Sequence, residues 1–533
     1  MLHIQCVSSM EKVFPNAPID VSAPAGQAFL NEVISWQIVL TADELHNVQA
    51  HTDCPCVTLQ QVRTVPVHLP VYPDTDDNYL RKTPGLYPDL LCPLPPHGVC
   101  VRPGQPAVLW VTFDPKGTLP AGDHEIAIHL QSETEQHTCA HTVTLLPASL
   151  PDQKLIHTKW FYADCLADYY HVPVFSEEHW RIIENFLRTA VEGGINMILM
   201  PVHTPPLDTR VGGERTTTQL VGIRVENGTY HFDMTNVRRW IALCKKLGVE
   251  HYEVAHLFTQ WGAQHAPKIV ADVDGVPTRI FGWDTDAAGE EYGAFLRQYI
   301  PALRQLFCEE GIAERVWWHI SDEPSQDHLP SYLAAKKQVE DVLKGERIMD
   351  ALSSFDFYQQ GVVEHPVVAS DHMQPFLDAN VPDLWMYYCC GQHVDVSNLF
   401  IAMPSARTRM LGAQLFRYRL QGFLQWGFNF YNSQYSDYPI DPYFTTDGDG
   451  WVPGGDTFQV YPAPDGTAWP SIRYMVCREA MQDLRALELL ETLAGFDAAN
   501  ALLGDITLTH YPVTSDAMLA LRQRINDAIV SHL

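Results

Sequence analysis

The sequence predicts an α/β protein in which a (β/α)8 TIM-like barrel follows an N-terminal antiparallel β-sandwich domain. Three observations predict this architecture. The chain has 533 residues, which is enough for a large barrel with an additional domain. Residues 1–150 contain short alternating apolar runs separated by Pro, Gly and Asp, with almost no helical period. From residue 151 onward, strand-like apolar runs alternate with amphipathic helical segments.

The first 150 residues are typical of an antiparallel sandwich. Runs such as NEVISWQIVLTA, AVLWVTFDP and HEIAIHLQS alternate apolar and polar positions and end at turn residues. The segment LPASLPDQK, residues 146–154, carries two prolines that end strand pairing and therefore predicts the hinge out of this domain.

Eight strand-like runs follow between residues 151 and 495. They are LIHTKWFYAD, INMILMPV, VEHYEVAHLF, RVWWHISDEP, RIMDALS, PVVASDH, LWMYYCC and GFLQWGFNFYN. Amphipathic segments separate most of these runs, and no Gly-rich dinucleotide-binding motif opens the first unit. The number of units therefore favours a closed barrel over an open doubly wound sheet.

Two insertions and a tail complete the predicted organisation. Asn227-Gly228 lies between alternating runs and predicts a type I′ β-hairpin near residues 219–234. Residues 435–467 are rich in Gly, Pro and Asp and should form a loop and strand insertion over the top of the barrel. Residues 496–533 are predicted to form a C-terminal helical tail.

Composition narrows the class of partner. The formal net charge of −29 opposes the approach of nucleic acid or of an anionic membrane surface, so a neutral substrate is the easier partner. The sequence shows neither a secretory signal nor about 18 uninterrupted apolar residues, which predicts a cytoplasmic protein, with non-standard export left open. The oligomeric state stays open, a homodimer included.

The 12 cysteines have no repeated metal-ligand spacing, which favours free thiols. Pairs such as His256 with His265, or Asp371 with His372, are weak candidates for a metal site. We therefore expect no metal and no cofactor.

The stretch RVWWHISDEPSQDHL, residues 315–329, carries the main chemical signal. Active sites of such barrels lie at the C-terminal ends of the strands, and Asp322 and Glu323 follow the fourth strand directly. We expect Pro324 to hold Glu323 in an extended conformation and to begin the next helix. The alternative is that Ser321 or Asp322 merely caps this helix.

Aromatic, amide, histidine and acidic residues at other strand ends would suit a pyranose, which has an apolar face and a ring of hydroxyl groups. The predicted substrate-binding residues are Trp160, Asp164, His203, His256, Trp261, Asp371, His372, Trp385, Tyr387, Tyr388, Trp426, Asn429 and Tyr431.

Glycoside hydrolysis normally places two carboxylates on opposite sides of the scissile bond, which neighbouring residues do poorly. The seventh strand, LWMYYCC, ends without a carboxylate. A substrate-assisted mechanism reconciles these facts, because the nucleophile is then the 2-acetamido oxygen of the sugar. Glu323 would be the general acid and base, and Asp322 would hold the acetamido N–H and stabilise the oxazolinium-like intermediate.

The motifs HISDEP, LFTQWGAQHAPKI, GFLQWGFNFYN and GGDTFQVYPAPDG resemble the catalytic domain of glycoside hydrolase family 123 and its uncharacterised relatives, over about residues 155–490. The resemblance implies a β-N-acetylgalactosaminidase with a β-sandwich, a (β/α)8 barrel and Asp322 and Glu323 as the catalytic pair. This chain differs in lacking an evident secretion signal and in ending with helices.

The sequence thus predicts an exo-acting retaining β-N-acetylhexosaminidase that prefers terminal 2-acetamido-2-deoxy-β-D-galactosides. One alternative is a glycosidase of other specificity, either a β-N-acetylglucosaminidase or a neutral-sugar hydrolase with Asp350, Asp356 or Asp371 as second carboxylate. Another is a non-catalytic carbohydrate-binding protein. The sandwich could bind glycan, form a dimer or brace the barrel, and bracing is the default.

Overall fold

Two five-stranded sheets form the N-terminal part of the chain in the computed structural model, which describes residues 1–15 and 26–533. One sheet has the order β1-β3-β8-β5-β6 and the other β2-β10-β9-β4-β7, and their pairings are antiparallel except that of β2 with β10. The strands are β1 (Leu2–Ser8), β2 (Gln27–Phe29), β3 (Ile34–Ala42), β4 (His46–His51), β5 (Val57–Val67), β6 (Gly85–Pro93), β7 (Val99–Val101), β8 (Ala107–Phe113), β9 (Gly122–Gln131) and β10 (Gln136–Leu146).

Side chains that alternate along the strands of the first sheet pack into two different apolar cores, one on each face. Ile38 and Leu109 pack in the apolar cluster between the two sheets. Their neighbours Val39 and Trp110 point the other way and join the large cluster that continues into the barrel. Because both faces of β8 are buried, its sequence AVLWVTF is apolar at nearly every position.

A closed parallel barrel follows, with the order β11-β12-β15-β18-β19-β20-β21-β22. These are the eight predicted strands, so the prediction of a closed eight-stranded barrel preceded by antiparallel sheets is confirmed. The strands in this part of the chain are β11 (Ile156–Lys159), β12 (Met197–Met200), β13 (Gly222–Glu226), β14 (Thr229–Asp233), β15 (His251–Val254), β16 (Ile269–Val273), β17 (Val276–Phe281), β18 (Val316–Trp318), β19 (Arg347–Leu352), β20 (His365–Ala369), β21 (Trp385–Tyr388), β22 (Gly422–Gln425), β23 (Val460–Pro462) and β24 (Ala468–Pro470).

Every barrel strand is followed by at least one helix before the next barrel strand or the chain end. The helices are α1 (Ala163–Tyr170), α2 (Glu177–Glu192), α3 (Thr235–Leu247), α4 (Glu290–Glu309), α5 (Leu329–Val339), α6 (Phe355–Gln359), α7 (Gln374–Asp378), α8 (Ser405–Arg409), α9 (Leu411–Arg417), α10 (Ile472–Ala494), α11 (Phe496–Ala501) and α12 (Ser515–Ser531), with short 3-10 helices at Ala313–Arg315, Gln326–His328 and Gln434–Ser436. In the part of the chain that the structure describes, no helix combines the length and the apolar character that crossing a membrane requires.

The predicted hairpin is present as β13 and β14, and its turn residues Asn227 and Gly228 have φ angles of 51° and 77°. A second hairpin, β16 and β17, was not predicted. Its turn is Asp274-Gly275, again with both φ angles positive, and β16 pairs with β13 to complete the four-stranded sheet β14-β13-β16-β17. An Asp-Gly pair between alternating residues was the available signal. In the second predicted insertion, β23 pairs with β24, which lies just beyond residue 467.

A buried ion pair joins the N-terminal sheets to the barrel. Asp89 of β6 accepts two hydrogen bonds of 2.9 Å from the guanidinium of Arg473 on α10, and both side chains are fully buried. Tyr461 of β23 donates a further hydrogen bond of 2.7 Å to Asp89. Arg473 also donates to the carbonyl groups of Gly455 and Phe458, so one cluster fixes the sheet, the last barrel helix and the loop above the barrel.

We predict that Asp89→Ala lowers the free energy of unfolding by about 3–5 kcal/mol, because the charge of Arg473 would stay buried without its partner. Urea denaturation followed by tryptophan fluorescence measures this change. The control is Asp77→Ala, which removes an exposed carboxylate that pairs with Lys82 at 2.9 Å and should change stability little. A wild-type denaturation midpoint for Asp89→Ala would contradict the prediction.

Candidate active site

Asp322 and Glu323 lie just beyond the end of β18, in a cavity at the C-terminal end of the barrel. The space between atoms there, including the part open to solvent, is about 580 Å³. Its lining residues are Trp160, Tyr162, Leu207, Asp208, Gln260, Trp261, Asp322, Glu323, Ala351, Tyr387, Cys389, Cys390, Leu424, Trp426 and Trp451.

The backbone around the acidic pair is held in an uncommon conformation. Glu323 has a φ of 44°, in the left-handed region, so the expectation that Pro324 holds it extended is wrong. The peptide N–H of Glu323 donates to the carbonyl of Ala351 at 3.1 Å, and the carbonyl of Asp322 accepts from the N–H of Trp261 at 3.0 Å. These bonds to the end of β19 and to the loop after β15 keep the pair at the cavity in spite of the strain.

The pair is not the cap of the following helix. The next helical turn is Gln326–His328, and its cap is Ser325. Pro324 therefore precedes the helix rather than beginning it, and Asp322 and Glu323 occupy the link between strand and helix. The alternative that Ser321 or Asp322 merely caps this helix is excluded.

Burial raises the pKa of both carboxyl groups. The pKa of Asp322 is raised first by burial and then by the charge of Glu323, while His319 opposes the shift. Burial also raises the pKa of Glu323, and the hydroxyl of Tyr387, which donates to Glu323 Oε1 at 2.7 Å, lowers it in part. Two adjacent carboxyl groups in such a site favour keeping a proton between them.

A buried histidine between two carboxylates lies beneath the pair. The Nε2 atom of His319 is 2.8 Å from Glu253 Oε1, and its Nδ1 atom is 3.4 Å from Asp350 Oδ1. The negative charges on either side of the ring favour its doubly protonated, positively charged form. Burial lowers the pKa of His319, but the carboxylates of Asp350 and Glu253 outweigh this effect and raise it to about 9. The imidazolium therefore places a positive charge beneath the acidic pair.

The carboxylates of Glu253 and Asp350 also hold parts of the cavity lining in place. Glu253 accepts hydrogen bonds from Trp160 Nε1 at 2.8 Å and from Thr158 at 2.6 Å. Asp350 accepts from the backbone N–H groups of Ile320 and Ser321 and from the hydroxyl of Tyr332. The Trp160 indole and the segment leading to Asp322 are thus fixed by one buried network.

Four of the predicted substrate-binding residues line the cavity, namely Trp160, Trp261, Tyr387 and Trp426. Trp426 is oriented by a hydrogen bond of 2.8 Å from its Nε1 atom to Asp456. Their contact with a sugar stays a prediction.

The two predicted histidines lie beneath the cavity and do not line it. The ring of His256 stacks on His319 with centroids 4.1 Å apart. His203 is buried behind it and its Nε2 atom bonds to the carbonyl of His256 at 2.8 Å. His256 thus packs on His319, His203 holds the backbone of His256, and a contact of either ring with the substrate stays a prediction.

Three predicted residues of the seventh and eighth strands are structural. The side-chain amide of Asn429 makes two hydrogen bonds to the backbone of Tyr162, accepting from its N–H and donating to its carbonyl. The hydroxyl of Tyr431 donates to a backbone carbonyl, and Tyr388 packs edge to face on Phe423. None of these three side chains lines the cavity.

The remaining predicted residues also lie elsewhere. Trp385 begins β21, at the opposite end of the barrel from the cavity, and its Nε1 atom donates to Gln421. Asp164 forms a buried ion pair with Arg215 at 2.6 Å. Asp371 and His372 pair with each other at 2.7 Å and are largely exposed. None of these four residues lines the cavity.

Several lining residues were not predicted. Tyr162, Leu207, Asp208, Gln260, Cys389, Cys390 and Trp451 line the cavity in addition to the predicted set. Gln260 directly precedes the predicted Trp261, and Cys389 and Cys390 directly follow Tyr388, so neighbouring positions were the available signal. Asp208 and Trp451 come from loops whose sequence carries no pattern that points to the cavity.

The N-terminal sheets help to hold the wall that carries Trp451. Tyr72, in the connection between β5 and β6, donates its hydroxyl to the carbonyl of Trp451 at 3.1 Å. The buried carboxylate of Asp447 accepts from the N–H groups of His68 and Leu69 at 3.0 and 2.7 Å. One wall of the cavity is therefore braced from outside the barrel.

Within residues 1–15 and 26–533, no group of three or more His, Cys, Asp or Glu side chains is arranged to hold a metal ion. The backbone of His265, one of the weak candidates, pairs with that of Asp286 in an isolated antiparallel β-bridge.

The family model named Glycoside hydrolase 123, catalytic domain, matches residues 160–490, from the cavity residue Trp160 to α10. The chain belongs to glycoside hydrolase family 123. The resemblance drawn from the motifs is thereby confirmed, and the protein is a glycoside hydrolase.

A solved structure agrees with the fold. A family 123 glycoside hydrolase from Clostridium perfringens, whose structural analysis addressed glycolipid glycan hydrolysis, aligns with 100% of this chain and 98% of its own at a TM-score of 0.76 and 14% identity. Bacteroides uniformis β-glucuronidase 3 has a TM-score of 0.29 at 9% identity over 90% of this chain and 51% of its own. The endo-β-1,4-mannanase from Thermotoga petrophila has a TM-score of 0.32 at 12% identity over 62% and 77%. These last two add no argument about this chain. No curated protein matches the chain.

We predict that His319→Gln moves the acidic limb of the pH profile of kcat/KM upward by about 1–3 units, because the imidazolium that lowers the pKa of Asp322 is removed. The measurement is hydrolysis of an aryl glycoside between pH 3 and pH 10.

The matched control is His157→Gln. Burial, aided by the charge of Lys159, lowers the pKa of His157 to about 3, so this barrel histidine is neutral and its loss removes no charge. The acidic limb should then stay where it is in the wild type. A folded His319→Gln enzyme with an unshifted limb would show that His319 does not act on Asp322.

Proposed function

We propose that the protein is an exo-acting, retaining β-N-acetylhexosaminidase that prefers N-acetylgalactosamine and uses the 2-acetamido group of the substrate as nucleophile. The observation that carries this proposal is the placement of Asp322 and Glu323 side by side in one cavity. By contrast, β21 ends in Tyr387 and Tyr388 and is followed by two cysteines, with no carboxylate. Two adjacent carboxyl groups are well placed to act as a general acid and a neighbouring stabilising anion. They are poorly placed to act from opposite sides of the scissile bond, as two catalytic carboxylates normally do.

In the first step, the acetamido oxygen attacks C1 as the bond from C1 to the leaving oxygen breaks. Glu323 gives its proton to that oxygen, which is consistent with the raised pKa that keeps it protonated. Asp322 accepts the acetamido N–H and stabilises the positive oxazolinium ring. In the second step, water attacks C1 from the face opposite the acetamido oxygen, and Glu323 takes a proton from that water. The bond between C1 and the acetamido oxygen breaks, so the oxazolinium ring opens and the configuration at C1 is retained overall.

The alternative of a neutral-sugar hydrolase requires a second catalytic carboxylate, and the three candidates for it do not line the cavity. Asp350 is buried with its oxygens engaged by His319, Tyr332 and backbone N–H groups. Asp356 lies on α6 and Asp371 pairs with His372, and none of the three lines the cavity. The natural substrate we propose is a glycan with a terminal 2-acetamido sugar, in keeping with the glycolipid glycans addressed for the Clostridium perfringens enzyme.

The deciding experiment is hydrolysis of matched nitrophenyl β-glycosides, with and without the 2-acetamido group and with C4 axial or equatorial. We expect cleavage of the acetamido sugars, fastest for the axial galacto form, and a fall in kcat of about 10²–10⁴-fold in Glu323→Gln. Successive fluorination of the acetyl group should slow the enzyme further, because it weakens the nucleophilic oxygen. Equal cleavage of plain galactosides would mean that the protein supplies the nucleophile.

We predict that Tyr387→Phe moves the basic limb of the pH profile upward by about 1–2 units, because the lost hydrogen bond stabilises ionised Glu323. A higher pKa keeps the general acid protonated to higher pH. The control is Tyr252→Phe, which removes the hydroxyl of another buried barrel tyrosine that has no hydrogen-bond partner among the described residues. A basic limb that stays in place in Tyr387→Phe, or moves downward, would contradict the assignment of Glu323 as the acid.

A further inference from the structure

Two polar atoms at the cavity have no hydrogen-bond partner among the described residues. They are Oδ1 of Asp208 and Nε2 of Gln260, which belong to the loops after β12 and β15. Both side chains are nine-tenths buried, with 7% and 8% of their surface exposed. Buried polar groups are nearly always paired, so these two need an explanation.

The protein fixes the opposite end of each side chain. The backbone N–H of Asp208 donates to Gln260 Oε1 at 2.6 Å, which leaves the amide nitrogen as the free end of Gln260. The second oxygen of Asp208 accepts from the N–H of Tyr435 at 3.1 Å, which leaves Oδ1 free. An acceptor and a donor on two cavity-lining side chains are thus left free, and neither side chain can turn away without breaking the bond that fixes its other end.

The backbone at Asp208 is also strained, with a φ of 39°. Burial raises the pKa of this carboxyl to about 7, and the charge of Arg215 opposes that shift. A donor placed at Oδ1 would favour the ionised form. A hydroxyl group satisfies both free atoms at once, because it donates one hydrogen bond and accepts others.

We propose that Asp208 and Gln260 together bind one hydroxyl group of the sugar in the cavity and so determine which hexosides the enzyme accepts. The inference rests on the proposed function in taking that sugar to be a 2-acetamido hexoside. It adds that one hydroxyl on the side of the β12 and β15 loops must be present and unsubstituted.

The test compares the nitrophenyl 2-acetamido-2-deoxy-β-hexoside that the wild type cleaves best with its 3-, 4- and 6-deoxy analogues. Asp208→Asn should lower kcat/KM on the parent substrate by about 10- to 150-fold, the worth of a hydrogen bond to a charged group. On one of the three analogues this loss should disappear, because the interaction is already absent. Gln260→Ala should lose its effect on the same analogue.

The matched control is Asp437→Asn, an exposed carboxylate that pairs with Arg210 in the loop that Asp208 holds. Its charge acts on the pKa of Asp208 without a place in the cavity lining, so any change in kcat/KM should be the same on the parent and on all three analogues. Equal losses in Asp208→Asn on the parent and all three analogues would mean a structural role and overturn the proposal, as would the absence of any loss.

An inactive Asp208→Gly variant that azide restores on sugars without the acetamido group would also overturn the proposal, because Asp208 would then be a nucleophile. The proposed function is judged separately, by the wild type and Glu323→Gln on the panel with and without the acetamido group. If the wild type prefers plain sugars, that function fails, and the deoxy series of the preferred sugar still tests Asp208 and Gln260.

Discussion

The imidazolium of His319 is the interaction on which the site depends. Without it, Glu253, Asp350, Asp322 and Glu323 would bring four carboxyl groups together in a buried region of the barrel, where like charges repel strongly. The cation pairs with the two lower carboxylates and lowers the pKa of Asp322 above it. Glu323 is adjusted separately, by burial and by Tyr387. This arrangement gives two adjacent carboxyl groups different surroundings, which an acid and an anion acting together require.

The barrel could be predicted because the periodicity of apolar residues shows which face of a strand is buried. The same periodicity does not show how close a residue lies to the cavity end of its strand. Trp385 and Tyr387 share one face of β21, yet Tyr387 lies at the cavity and Trp385 two residues earlier, at the other end. Tyr388 has the opposite orientation and lies beside Cys477 of α10. Loop residues such as Asp208 could not be found this way, because their position depends on loop conformation rather than on a period.

The N-terminal sheets are part of what shapes the cavity. Asp89 and Arg473 fix the first sheet to the last barrel helix, and Tyr72 reaches the loop that carries Trp451. These partners are separated by more than 300 residues in sequence, so the wall exists only after both parts of the chain have folded and docked. A bracing role for the sheets explains why their outer face, with Val39 and Trp110, is apolar.

Asp208, Trp261 and Glu323 share one backbone feature, a positive φ at a residue other than glycine. Each such position costs about 1–3 kcal/mol and persists only where the surroundings determine it. At Glu323 the surroundings are the bond to Ala351 and the strand before it; at Asp208 they are Gln260 and Tyr435. Glycine would relieve the strain at all three, yet it could supply neither a carboxylate nor an indole. The strain therefore accompanies the placement of these three side chains in the lining of the cavity.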